Sequence, residues 1–96
     1  MKYIRFQWDE RKGLVNRRKH GVSFDEAQSA FYDPLARVMA DPEHSEAEER
    51  FLLLGMSRRL RILMVCHCYR ESEEVIRIIS ARRATTREAE QYGSLR

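Results

Sequence analysis

Between residues 50 and 81, three apolar stretches follow one another with only short polar turns between them, and that spacing leaves few folds open. Arg50 to Met56 carries Phe51, Leu52, Leu53 and Leu54. Leu60 to Tyr69 is rich in branched residues, and Val75 to Ala81 closes the set. Ser57 to Arg59 suits a hairpin turn and Arg70 to Glu74 a charged turn. Connections this short join antiparallel neighbours, because parallel strands need a crossover of about a dozen residues or more. The expectation is an antiparallel meander.

The residues before the meander carry helix signals. Tyr3 to Trp8 is aromatic and loosely alternating, which predicts a short first strand. Asp9 is placed as an N-cap, Glu10 to His20 as a helix, and Gly21 as its stop. Ser23 and Glu26 have the spacing of a capping box, with Val22 and Ala27 as its hydrophobic staple, so a second helix is expected from Phe24 to Phe31. Asp33-Pro34 ends it, since the residue before proline is pushed out of the helical region. Arg37 to Ala40 is read as a short strand and Asp41 to Glu49 as an exposed acidic connection. Thr85 and Glu88 repeat the capping-box spacing and predict a last helix over Thr86 to Tyr92. The order is β-α-α-β-β-β-β-α, an α+β fold with helices packed on a small antiparallel sheet. At 96 residues, 1–96 is expected to be a single domain.

Alternation sorts the strands into faces. Leu60, Ile62, Met64, Cys66 and Cys68 form a wholly apolar row, expected to face the core. Arg61, Leu63, Val65, His67 and Tyr69 form the opposite row. On the last strand Ile76, Ile78, Ser80 and Arg82 are expected on one face, and Val75, Arg77, Ile79 and Ala81 on the other.

Charge narrows the partners. The formal net charge is +3 with a pI near 9.1. Residues 1–40 hold 8 basic and 5 acidic side chains, residues 41–50 hold 1 and 5, and residues 51–96 hold 9 and 5. Two basic segments flanking an acidic one suggest a polyanionic partner. No apolar run approaches the roughly 20 residues that span a bilayer, and Met1-Lys2-Tyr3-Ile4-Arg5 lacks the apolar core of a signal peptide. Cys66 and Cys68, two apart on one strand, are poorly placed to bond each other, so a reducing cytoplasmic setting is expected. Alternation sends His67 to the face opposite both thiols, and His44 stands alone, so neither a metal site nor a cofactor is expected.

The stretch Ile79-Ser80-Ala81-Arg82-Arg83-Ala84-Thr85-Thr86-Arg87-Glu88 ends a strand in two arginines and starts a helix at once. Guanidinium groups stay charged at working pH and present a planar fork of donors that fits phosphate. Four blocks together then resemble one family: Phe6-Gln7-Trp8-Asp9 before a basic helix, Lys19-His20-Gly21-Val22-Ser23-Phe24-Asp25-Glu26-Ala27, Asp33-Pro34-Leu35 with the acidic Asp41-Pro42-Glu43-His44, and Ile78-Ile79-Ser80-Ala81-Arg82-Arg83-Ala84-Thr85. They look like the BrnT toxins of type II toxin–antitoxin systems, over about Tyr3 to Tyr92. The resemblance implies a RelE-like fold and a metal-free endoribonuclease that inhibits growth. It also implies a BrnA-like ribbon–helix–helix antitoxin, an autorepressing complex, and contact with operator DNA through the antitoxin alone.

Metal-free RNA cleavage needs a base for the 2′-hydroxyl, a cation for the phosphorane-like transition state and an acid for the 5′-oxygen. Arg82 and Arg83 are the expected cations. His67 is the expected acid–base residue, with Tyr69 beside it on the same face. Lys12, Lys19 and His20 are candidates for substrate phosphates, and Arg87, Glu88 and Tyr92 are further candidates on the last helix. The competing reading is a basic module that binds RNA, DNA or protein without catalysis.

Overall fold

The computed structural model describes residues 4–41, 43, 48–72 and 74–93. Its elements are β1 (Arg5–Gln7), α1 (Glu10–His20), α2 (Phe24–Ala30), β2 (Arg37–Ala40), β3 (Phe51–Met56), β4 (Ile62–Arg70), β5 (Val75–Arg83) and α3 (Thr86–Ala89). Asp9 caps α1 by accepting from the Arg11 and Lys12 amides, and Gly21 ends it in the left-handed region at φ 72°. Ser23 caps α2 through the Glu26 amide at 3.0 Å. Glu26 turns its carboxylate elsewhere, so only half of the expected box forms. The box at Thr85 and Glu88 is complete. α3 is shorter than expected and stops before Tyr92. Tyr3, part of the expected first strand, and most of the acidic connection with His44 lie outside the described residues.

The five strands form one sheet in the order β1-β5-β4-β3-β2. β2 to β5 pair antiparallel, β3 to β5 as their short turns required. β1 pairs parallel with β5, Arg5 opposite Val75 and Gln7 opposite Arg77. The sheet is therefore mixed, which corrects the wholly antiparallel expectation. Turn lengths govern only sequential neighbours. β1 reaches its partner through the whole intervening chain, long enough for a parallel pairing, and Phe6 on β1 meets Phe31 at 5.2 Å between ring centroids.

The core also corrects the expected faces. Val22, Phe24, Ala27 and Ala30 pack on Leu53, Leu63, Val65, Ile76, Ile78 and Ala81. The helices thus cover the row of β4 that includes His67, not the wholly apolar row. Met64, Cys66 and Cys68 are buried too, because β4 is the central strand and both its faces are covered. Leu60, expected in that row, lies instead on the turn before β4, 79% exposed, with φ at 62°. Gly55 lets β3 approach α2 closely, since a Cβ there would lie 2.9 Å from the Ala30 carbonyl oxygen. Beside this contact a buried Glu26 carboxylate accepts from Ser57 Oγ at 2.7 Å and from both Nε and a terminal nitrogen of Arg61.

A register shift between β4 and β5 reorders the last strand. Cys66 pairs with Ser80 but His67 pairs with Ile78, so Ile79 is the extra residue of a bulge. Paired residues share a face. Ile76, Ile78 and Ala81 therefore point together into the core, whereas Ser80 and Arg82 point to the opposite face beside Cys66 and Met64. The expected uninterrupted alternation along β5 is corrected by that one residue.

Candidate functional site

β1 covers β5 only as far as Arg77, so the outer edge of β5 beyond that point needs other partners for its backbone. Asn16 of α1 supplies one. Its side-chain nitrogen donates to Ala81 O at 2.8 Å and to Val22 O at 2.9 Å, and its oxygen accepts from Ala81 N at 3.1 Å. A buried side-chain amide thus imitates a neighbouring strand and fastens α1 to the sheet edge. Asn16 did not emerge from the sequence. The available signal was helical spacing, which puts Lys12, Asn16 and His20 in one row and Arg11, Val15 and Lys19 in the next.

Those two rows and the β5 bulge enclose a hollow of about 370 Å³, lined by Arg11, Lys12, Val15, Asn16, Lys19, His20, Ile79 and Ser80. Its rim is cationic, and the exposed Val15 and part-buried Ile79 add aliphatic surface. Three residues expected to hold substrate phosphates, Lys12, Lys19 and His20, meet here. Ile79 and Ser80 also line a second hollow of about 280 Å³, with Asp41, Glu43, Arg50, Leu52, Cys66 and Arg82. The two hollows therefore share a stretch of β5 as a common wall. Burial pushes the Cys66 thiol up to about 11, helped by the nearby Asp41 carboxylate, which leaves it a poor nucleophile.

Arg82 and Arg83 leave β5 in opposite directions, since Met64 pairs with Arg82 and Leu63 with Arg83. Arg82 makes a bidentate pair with Glu88, 2.7 and 2.9 Å long. Glu88 also accepts from the Thr85 amide at 2.8 Å. The Arg82 guanidinium foremost, with the Thr85 amide, holds the Glu88 carboxyl down to about 2. The carboxylate thus stays ionised and orients the arginine at any working pH. Arg83 is exposed at the strand end, and Arg87 is exposed on α3. Tyr92 is held elsewhere, donating its hydroxyl to the Asp33 carboxylate.

His67 is not brought to the arginines. It lies across from Ile78 and on the helix-covered face, fully buried among Phe31, Phe51 and Tyr69, with ring centroids 4.9, 6.1 and 5.4 Å away. Its Nδ1 lies 3.2 Å from Val65 O. A carbonyl only accepts, so Nδ1 carries the proton. Nε2 is buried with no hydrogen-bond partner among the described residues. Loss of solvent holds the imidazole below its ordinary pKa, against the opposing pull of the Val65 carbonyl. Tyr69 is half-buried against Phe51 and borders a hollow with Glu48, Glu49 and Glu71, far in charge from the cationic rim. Among the described residues no group of three His, Cys, Asp or Glu stands close enough to hold a metal ion.

A family model described as the ribonuclease toxin BrnT of type II toxin–antitoxin systems matches residues 8–88. The chain belongs to the BrnT family. The crystal structure of the Brucella abortus ribonuclease toxin BrnT is similar to it, with 28% sequence identity and a TM-score of 0.62, covering 90% of this chain and 99% of that one. No curated protein matches. As a BrnT ribonuclease toxin of a type II system, the chain has a cognate antitoxin as its implied partner. Among the described residues no helix is long and apolar enough to cross a membrane.

Proposed function

We propose that this BrnT-family toxin cleaves RNA by metal-independent attack of a 2′-hydroxyl on its own phosphodiester, in the cytoplasm, at the outer edge of β5. The observation that carries the reading is that the α1 hollow and the Arg82 hollow share Ile79 and Ser80 in their walls. An RNA strand crossing that edge would place phosphates against Lys12 and Lys19 on one side and Arg82 on the other, with Arg83 and Arg87 exposed nearby. A guanidinium whose fork is already held by Glu88 offers its remaining N–H groups to the phosphate and costs little to reorganise as charge grows on the phosphorane. Full burial makes His67 a support of the sheet end, with Tyr69 beside it, in preference to the acid–base role expected of both. Tyr92, tied to Asp33, braces the chain after α3.

The 2′-oxygen forms a bond to phosphorus as the bond to the 5′-oxygen breaks, and the products are a 2′,3′-cyclic phosphate and a 5′-hydroxyl. The fold is read as RelE-like, and residues 1–96 as one domain. A BrnA-like ribbon–helix–helix antitoxin would neutralise the toxin, and their complex would repress its own operon through the antitoxin's contact with DNA. The test is purified protein, freed of antitoxin, incubated with single-stranded RNA. Shortened chains ending in cyclic phosphate support the reading. RNA that is bound but never shortened supports the non-catalytic basic module instead.

A further inference from the structure

We propose that His20, in the hollow between α1 and the edge of β5, is the general base of this reaction; the inference rests on the reading of that edge as the cleavage site. The sequence has three histidines. His44 lies outside the described residues and His67 is sealed in the core at 0% exposure. His20 is partly exposed and lines the cationic hollow beside Ser80.

The backbone that carries it is anchored before and after the residue. Asn16, one turn earlier on the same face of α1, is locked to both backbone groups of Ala81. Gly21, the next residue, donates its amide to Arg17 O at 2.8 Å and accepts from Arg61 at 3.0 Å. A histidine on backbone anchored this way sits on a well-supported element, as catalytic groups require. Arg11, Lys12 and Lys19 of α1 are the charged residues that line the hollow with it, Arg61 reaches the carbonyl of the next residue, and β5 contributes Ile79 and Ser80. Cations draw the phosphodiester in, and the aliphatic side chains of the exposed Val15 and of Ile79 offer a surface for one unpaired base. The hollow, about 370 Å³, suits a single nucleotide. Neutral His20 takes the 2′-hydroxyl proton, the 2′-oxygen attacks phosphorus, and the departing 5′-oxygen takes a proton from solvent.

The experiment is the pH profile of kcat and KM for cleavage of a single-stranded RNA by wild type, His20→Gln and Lys12→Gln, each confirmed folded by thermal melting. His20→Gln is expected to lower kcat about 100-fold with little change in KM, and to lose the acid limb of the wild-type profile, as removal of a general base requires. Lys12→Gln is expected to raise KM and keep that limb. Added imidazole is expected to restore part of the rate to His20→Ala, which a merely structural role would not allow. A folded His20→Gln with wild-type kcat and an intact acid limb overturns the proposal. Wild type that never cleaves RNA overturns the function reading itself, a different result from failure of the histidine alone.

Discussion

His67 shows how one side chain can be prominent in a sequence and do something other than its chemistry suggests. Sealed among aromatic rings, it must be neutral when folded, while the unfolded chain protonates it near 6.5. Below that pH the unfolded state binds the extra proton, so stability is full above it and falls as pH drops toward the lower folded value. Urea unfolding from pH 7.5 to 5 should show wild type losing at most about 1.4 kcal/mol per pH unit from this source. His67→Leu should flatten that slope, and an equally steep slope in the variant would deny the buried neutral imidazole. The Arg82–Arg83 pair was legible because a capping-box threonine two residues later marks the strand end. Their divergence and the true faces of β5 were not, because a bulge adds one residue without any change of composition and reverses the alternation beyond it. Asn16 was hidden for a related reason: a polar residue on a basic helix carries no mark that its amide replaces a strand.

At the scale of elements, capping chemistry located the helices and short turns located the meander. What it left open was which face each helix covers. The wholly apolar row of β4 looked like the core face, yet the helices lie over the row that runs from Arg61 through His67 to Tyr69. The charge on Arg61 is tolerated there because Glu26, 1% exposed, answers it from α2. Hydrogen bonds from Arg61 hold the Glu26 carboxyl below its usual range, so the pair adds stability above the ordinary carboxylate pKa and loses it as pH falls through the lower folded value. Removing one partner strands the other. Glu26→Ala should therefore cost about 3 kcal/mol in urea denaturation near neutral pH, at the low end for breaking a buried pair, since the Arg61 side chain keeps 19% exposure. A cost under about 0.5 kcal/mol would put the pair among surface bridges.

For the whole molecule, the net charge of +3 says less than its arrangement. α1 concentrates Arg11, Lys12, Lys19 and His20 along one hollow, the end of β5 carries Arg82 and Arg83, and both converge on the sheet edge that β1 leaves open. The parallel docking of β1 was not readable from turn lengths, yet it decides where that open edge begins. Removing the paired arginines tests this account most directly. Arg82→Ala with Arg83→Ala leaves the core untouched and removes one part-buried ion pair, Arg82 with Glu88, whose loss costs about 1 kcal/mol. A variant with near-wild-type melting should cleave RNA more slowly by about 100-fold or more, the usual loss on removing preorganised transition-state donors, and should not arrest growth when induced without antitoxin. Cleavage at the wild-type rate by that folded variant would contradict the account.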